Sequence, residues 1–394
     1  MSIPGLDCAR EYPLLGFGAS SFAVLIVLCA VPRFRCWLGT RLEMPLPSTR
    51  QHLLPLDAFR GIAAMWVALF HAWQWTMPVF RQTSEILPII SVGHYGVQIF
   101  VVLSGMLIFR SLRSLRDLDH LRAYFWRRLL RICPLYVAVS AVFLVLYPPG
   151  LSASISEIFM LRSLGYPAFM NPPAWSVYVE VLFYLVMPAF VLLAARRPSL
   201  AAGTIVILLT LGDRSGVREL ALWKFFFLGV LCSEAIERAM TWRSGFARAL
   251  PFFLGTGLVS LAVVSSLRPG LLGYNERELT VGIGVALMLL GTVATPWLRA
   301  AFSIRPLRIL GTISYSIYLI HPLILVPSFG LKFSHTTSEI LTRGYAPVQL
   351  PAADLFLVYV PALVFFSCCT FLAIERPMLR LRPTSESPTL LKTS

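Results

Sequence analysis

Arg60 and His71 stand eleven positions apart in the otherwise apolar run LDAFRGIAAMWVALFHA. On a helix that is about three turns, so both side chains share one face, about 16 Å apart along the axis. A guanidinium suits forked contacts to phosphate, and an imidazole is the side chain best placed to take up a proton near neutral pH. Glu180 in AWSVYVEVLFY, His321 in SYSIYLIHP and His94 in GHYGVQIF fall at a similar depth in their own apolar runs. Ionisable groups in such runs are expensive to bury, which makes each a functional candidate. Plainer readings stay open: His94 and His321 as helix–helix hydrogen-bond partners, and Glu180 as a structural partner of an arginine or histidine. The segment 110–131 holds seven arginines, among them Arg128 and Arg131. Their three-residue spacing puts these two on one helical face, where they can fork onto a pyrophosphate or phosphate monoester. A lipid-headgroup patch accounts for them equally well. Ser104, followed by Gly105 in VVLSGMLIF, has no flanking turn signal and reads first as a small residue permitting close helix packing. The seven cysteines show no zinc or redox spacing, so they are assigned neither metal nor disulfide framework.

Long apolar elements must carry these groups. Across 394 residues, apolar types make up 57% and charged types 13%, and the mean hydropathy is +0.73. Soluble domains carry roughly 25% charged residues, so the surface of this chain must largely face lipid. The composition predicts an all-α, polytopic transmembrane bundle. Runs near 13–31, 56–76, 90–110, 132–148, 174–195, 250–267, 280–298, 309–327 and 354–374 are long enough to span a bilayer, and two shorter ones, 199–212 and 219–236, are counted with them. That makes ten core spans plus one extra amino-terminal span. Alternate connecting segments hold 23 and 9 basic residues; the richer set, with the carboxyl terminus, belongs in the cytoplasm. The net charge of +15 is thereby explained by topology rather than nucleic acid, and no phosphate loop, dinucleotide fingerprint or zincin motif is present. The expected organisation is an anchor span and basic linker over 1–50, a membrane domain over 51–380 and a disordered cytoplasmic tail over 381–394. Translation starting at Met44 would remove the extra span and leave the orientation unchanged.

LDAFRGIAAMWVALFHA, GVQIFVVLSGMLI, WRRLLRICPLY, WSVYVEVLFY, FFFLGVL, LGTISYSIYLIHPL and the late IERP occur in an order that resembles the acyltransferase 3 family of integral-membrane O-acyltransferases. The resemblance implies a ten-helix bacterial inner-membrane enzyme that takes an acyl group, commonly acetyl, from cytoplasmic acyl-CoA to a hydroxyl of a glycan or lipid-linked saccharide. By matching position, His71 is the catalytic histidine, Arg60 its donor-side partner, Arg128 and Arg131 the paired arginines of the donor site, and Glu180 the glutamate of the tryptophan–serine motif, here Trp175 and Ser176. Asp57, His94, Ser104, Tyr315 and His321 complete the candidate lining. Ala58 and Phe59 replace the more usual glycine and leucine, and Val181 and Leu182 replace a polar pair. Many glycan-modifying members carry a further esterase-like domain; none fits in these residues, which implies transfer within the membrane domain or with a separate partner protein. A transporter using the same buried histidines and glutamate is the rival reading. Against it stands the lack of internal symmetry and of paired Gly/Pro-interrupted segments.

Overall fold

In lipid, backbone N–H and C=O groups must be satisfied within the chain, so only helices or closed barrels can span a bilayer. Helices are what form. The computed structural model describes residues 39–42, 53–75, 88–113, 117–146, 150–161, 171–211, 218–268, 270–328 and 359–381, with no strand among them. In chain order come α1 (Pro55–Trp75), a 3-10 segment (Pro88–Tyr95) running into α2 (Gly96–Leu112), α3 (Leu118–Leu146) and the short α4 (Leu151–Ile158). Next are α5 (Ala174–Arg196), α6 (Pro198–Leu211), α7 (Arg218–Met240), α8 (Gly245–Leu267) and α9 (Tyr274–Ala294). Two short helices, α10 (Pro296–Phe302) and α11 (Arg305–Thr312), lead into α12 (Ser314–Ser328). The last described stretch is α13 (Val360–Thr370), a π-helical turn (Phe371–Glu375) and α14 (Arg376–Arg380).

Among the described residues, six helical stretches are long and apolar enough to cross a bilayer, or seven if α11 and the start of α12, bent by 65°, form one broken span. That is fewer than the ten plus one expected. The run 13–31 lies outside the described residues. α1 carries Asp57 and Arg60, α7 carries Lys224, Glu234, Glu237 and Arg238, and α6 has only 14 residues; charge and shortness set these three below the criterion. α3 also begins earlier than expected. The arginine-rich stretch before residue 132, read as a connecting loop, is helical from Leu118, started by Asp117 Oδ1, which accepts the His120 backbone N–H at 2.9 Å. Arg128 and Arg131 therefore sit well inside a helix.

Apolar side chains gain little by leaving lipid for protein, so membrane helices associate through small residues and polar contacts. α2 and α7 meet this way: a Cβ on Gly105 would come within 2.0 Å of the Phe226 carbonyl oxygen, and one on Gly229 within 2.0 Å of that of Val102. At one end of this pair Arg113 reaches Glu237 at 2.5 Å and Glu234 at 3.6 Å. α1 abuts α11 equally closely, a Cβ on Gly311 falling 2.0 Å from the Asp57 carbonyl oxygen. Phe183 stacks on Phe226 with ring centroids 3.9 Å apart, seating α5 against α7. α1, α2, α3, α5 and α12 enclose the candidate residues.

Candidate active site

Six of the candidate residues line one cavity: Arg60 from α1, Ser104 from α2, Arg131 from α3, Ser176 and Glu180 from α5, and Tyr315 from α12. α1, α2 and α3 follow one another, but α5 and α12 come from well beyond them in the chain, so the grouping is a product of the bundle and not of local sequence. Two guanidinium groups and one carboxylate share this space. Glu180 Oε1 accepts from Ser104 Oγ at 2.7 Å and from the Tyr184 hydroxyl, one helical turn further along α5. Packing alone, the first reading of Ser104, is thus not its role here; Gly105 beside it makes the close helix contact. Tyr315 donates to the Ile132 carbonyl at 2.9 Å and ties α12 to α3 next to Arg131.

His71 and His321 meet. Their rings are parallel within 6°, and His71 Nδ1 lies 2.9 Å from His321 Nε2. His321, fully buried, places its own Nδ1 2.8 Å from the Tyr318 backbone carbonyl. A carbonyl only accepts, so in the neutral ring His321 Nδ1 carries the proton and Nε2 the lone pair. His71 Nδ1 must then donate to that lone pair, which assigns the basic nitrogen of His71 to Nε2. Tyr318 joins the pair to the cavity: its ring lines the cavity, and its hydroxyl lies 2.6 Å from Ser176 Oγ. The turn before α5 holds this segment in place, with Asn171 Nδ2 donating to the Leu319 carbonyl at 3.0 Å.

Other candidates lie elsewhere. Arg128 does not line the cavity; its guanidinium sits over the Tyr124 and Tyr184 rings, at 5.6 and 5.1 Å, and donates to Ser111 Oγ at 3.1 Å. The two arginines thus do not converge as a fork: Arg131 lines the cavity, while Arg128 touches Tyr184, the hydrogen-bond partner of Glu180. Asp57 lies at the start of α1 against Gly311. Trp175 packs on the hydrophobic core. His94 lies at a second pocket, 3.8 Å from buried Glu278. Four residues near these sites were not picked out from the sequence. Tyr184 is signalled only by its four-residue spacing from Glu180, and Tyr318 by its place three residues before His321. Glu375 belongs to the IERP motif, and is buried, accepting from Ser316 Oγ at 2.5 Å. Glu278, buried in the second turn of α9, accepts from Gln98 of α2, and nothing in its spacing marks it.

The family described as an acyltransferase domain, Acyl_transf_3, matches residues 54–374. The chain is 25% identical over 329 residues to peptidoglycan O-acetyltransferase OatA of Listeria monocytogenes, covering 69% of this chain and 49% of that protein. It is 23% identical over 318 residues to exopolysaccharide production protein ExoZ of Rhizobium meliloti, covering 74% and 90%. Over 398 residues it is 24% identical to acyltransferase MdmB of Streptomyces mycarofaciens, covering 87% and 97%. The chain spans about half the length of the first curated relatives it matches. No solved structure matches it.

Proposed function

The chain belongs to the acyltransferase 3 family, and on that premise we propose that it is a membrane O-acyltransferase moving an acyl group, in the first instance acetyl, from cytoplasmic acyl-CoA to a hydroxyl of an exported or cell-surface glycan. The glycan is suggested by the names of two relatives, a peptidoglycan O-acetyltransferase and an exopolysaccharide production protein. The proposed topology has ten core spans, obtained by adding α1, α6 and α7 to the seven that include the broken one. An anchor span precedes them, and the carboxyl terminus lies in the cytoplasm of a bacterial-type inner membrane.

The observation that carries the mechanism is the hydrogen-bonded pair of His71 and His321 beside a cavity lined by Arg60, Arg131 and Glu180. His71 Nε2 takes the proton of the acceptor hydroxyl as its oxygen attacks the thioester carbonyl. The negative charge on the resulting tetrahedral oxygen calls for fixed donors within hydrogen-bond reach of it; Arg60, about 16 Å from His71 along α1, is too far from the reacting carbon to be one. The carbon–sulfur bond then breaks, and the proton held by His71 passes to the departing thiolate. Arg60 and Arg131 serve to bind the anionic donor, and Glu180 holds Ser104 and Tyr184 in register. Removing a general base of this kind costs about 10²–10⁴ in rate. The experiment is transfer of labelled acetyl from acetyl-CoA to glycan oligosaccharides by the purified protein in nanodiscs. His71→Ala should lower kcat by about 10³ while leaving the affinity for coenzyme A within twofold. Undiminished transfer by that variant would remove His71 from the chemistry.

A further inference from the structure

The second pocket, of about 400 Å³, lies where the 3-10 segment, α8 and the start of α9 meet the end of α1. Its lining includes Trp73, His94, Tyr95, Ser266, Tyr274 and Arg277. None of these takes part in the cavity described above. Two N–H donors here are buried without an acceptor among the described residues: Trp73 Nε1 and Arg277 Nε. Leaving such donors unsatisfied is unfavourable, so each calls for an acceptor that the described residues do not supply. Beside them Ser266 Oγ donates to the Ala262 carbonyl at 2.8 Å, so the Tyr95 hydroxyl donates to Ser266 Oγ at 2.7 Å and keeps a lone pair able to accept. The Tyr274 ring is 65% exposed at the rim. Aromatic faces for stacking, directional donors awaiting oxygen acceptors and a hydroxyl oxygen able to accept suit a molecule with apolar faces and a girdle of hydroxyl groups. An acyl chain would leave both N–H groups unsatisfied.

The pocket also adjoins the base. The His94 ring is 5.4 Å from Phe70, and Phe70 is 5.4 Å from His71. Trp73 follows His71 by two residues on α1.

We propose that this pocket is a saccharide-binding site holding the acceptor, with Trp73 Nε1 and Arg277 Nε donating to sugar oxygens and the Tyr274 ring bearing on a sugar face. This rests on the glycan-transfer reading for its purpose, but sugar binding is measurable without turnover. The test is saturation-transfer difference NMR on the full chain in nanodiscs, with chitotetraose and cellotetraose as probes at millimolar concentration. At least one oligosaccharide receives saturation from the unmodified protein. Trp73→Phe, which keeps an aromatic ring but loses the N–H, reduces that signal at least threefold. Arg277→Lys, which keeps the charge but loses Nε, does the same, and coenzyme A binding of both variants stays within twofold. Absence of saturation transfer to either probe, or full signal in both variants, overturns the site. Sugar binding that depends on Trp73 and Arg277 in a protein that transfers no acyl group would uphold the site and defeat the transfer reading. Transfer with an unchanged acceptor KM in both variants would do the reverse.

Discussion

His321 never has to touch a substrate to matter. Its Nδ1 is committed to the Tyr318 carbonyl and its Nε2 to His71, so it fixes which nitrogen of His71 is basic and how that ring is turned. A carboxylate in its place would stabilise a protonated His71 strongly; a neutral imidazole does so less and keeps the buried site free of another charge, which would be costly to desolvate. His321 is a positioning residue. His321→Ala is expected to lower kcat about 10- to 100-fold, within the range for loss of a group that orients a catalytic side chain, with KM for acetyl-CoA unchanged. His321→Gln, whose side-chain oxygen can accept from His71 Nδ1, should recover a measurable part of that loss. Steady-state kinetics of the two variants decide it: equal rates for both, or a rise in KM alone, would show that the His71–His321 hydrogen bond has no bearing on the tautomer in use. Glu180 belongs to the same scale. Its oxygen is shared by Ser104 and Tyr184, and Tyr184 in turn lies under Arg128, so one carboxylate connects the cavity to an arginine outside it.

Helices rather than single residues explain what could be read beforehand and what could not. Arg60 and His71 lie on one helix, and their eleven-residue separation is a property of that helix alone; the same is true of Trp175, Ser176 and Glu180 on α5. Such groupings were legible because periodicity fixes them. The meeting of His71 with His321, 250 positions away, and the sharing of Glu180 between α2 and α5 depend on how helices cross, which a single sequence does not encode in any local pattern. The early start of α3 was missed because seven arginines between 110 and 131 look like a solvated connection, whereas Arg113 is paired with α7 carboxylates and Arg128 lies over aromatic rings. Ser104–Gly105 was read as a packing pair, and only its second member is one. The closeness of α2 and α7 at that point gives an element-scale prediction. Gly105→Leu would drive a side chain into the Phe226 backbone, since even a Cβ there falls 2.0 Å from its carbonyl oxygen. Overpacking costs about 1–3 kcal/mol in well-packed interiors, and here the obstacle is backbone. Purified Gly105→Leu should show a lowered melting temperature in detergent, whereas leucine at Gly257, which faces open space, should leave it unchanged. Equal melting temperatures for both would mean that α2 and α7 do not approach as closely as described.

Over the whole molecule, the two sites imply a direction. Arg60 of the cavity stands near the start of α1 and Trp73 of the pocket near its end, about 20 Å apart along its axis at 1.5 Å per residue. If the donor arrives from the cytoplasm and the glycan from outside, the start of α1 must face inward and its end outward. The bias of basic residues, 23 against 9 between alternate connections, independently favours the same orientation. α8 offers a clean test, because it is one of the six stretches apolar enough to cross and both its ends are described. The turn before it carries Arg243 and belongs to the cytoplasmic set; the start of α9 after it carries Asn275 and belongs to the opposite one. Both positions are exposed. In intact spheroplasts, Asn275→Cys should react with a membrane-impermeant maleimide above the background set by the seven natural cysteines, and Arg243→Cys should react only after the membrane is opened. The reverse pattern would place the saccharide pocket in the cytoplasm. The donor cavity would then open to the outside, where acyl-CoA is not supplied, and transfer across the membrane in the proposed direction could not occur.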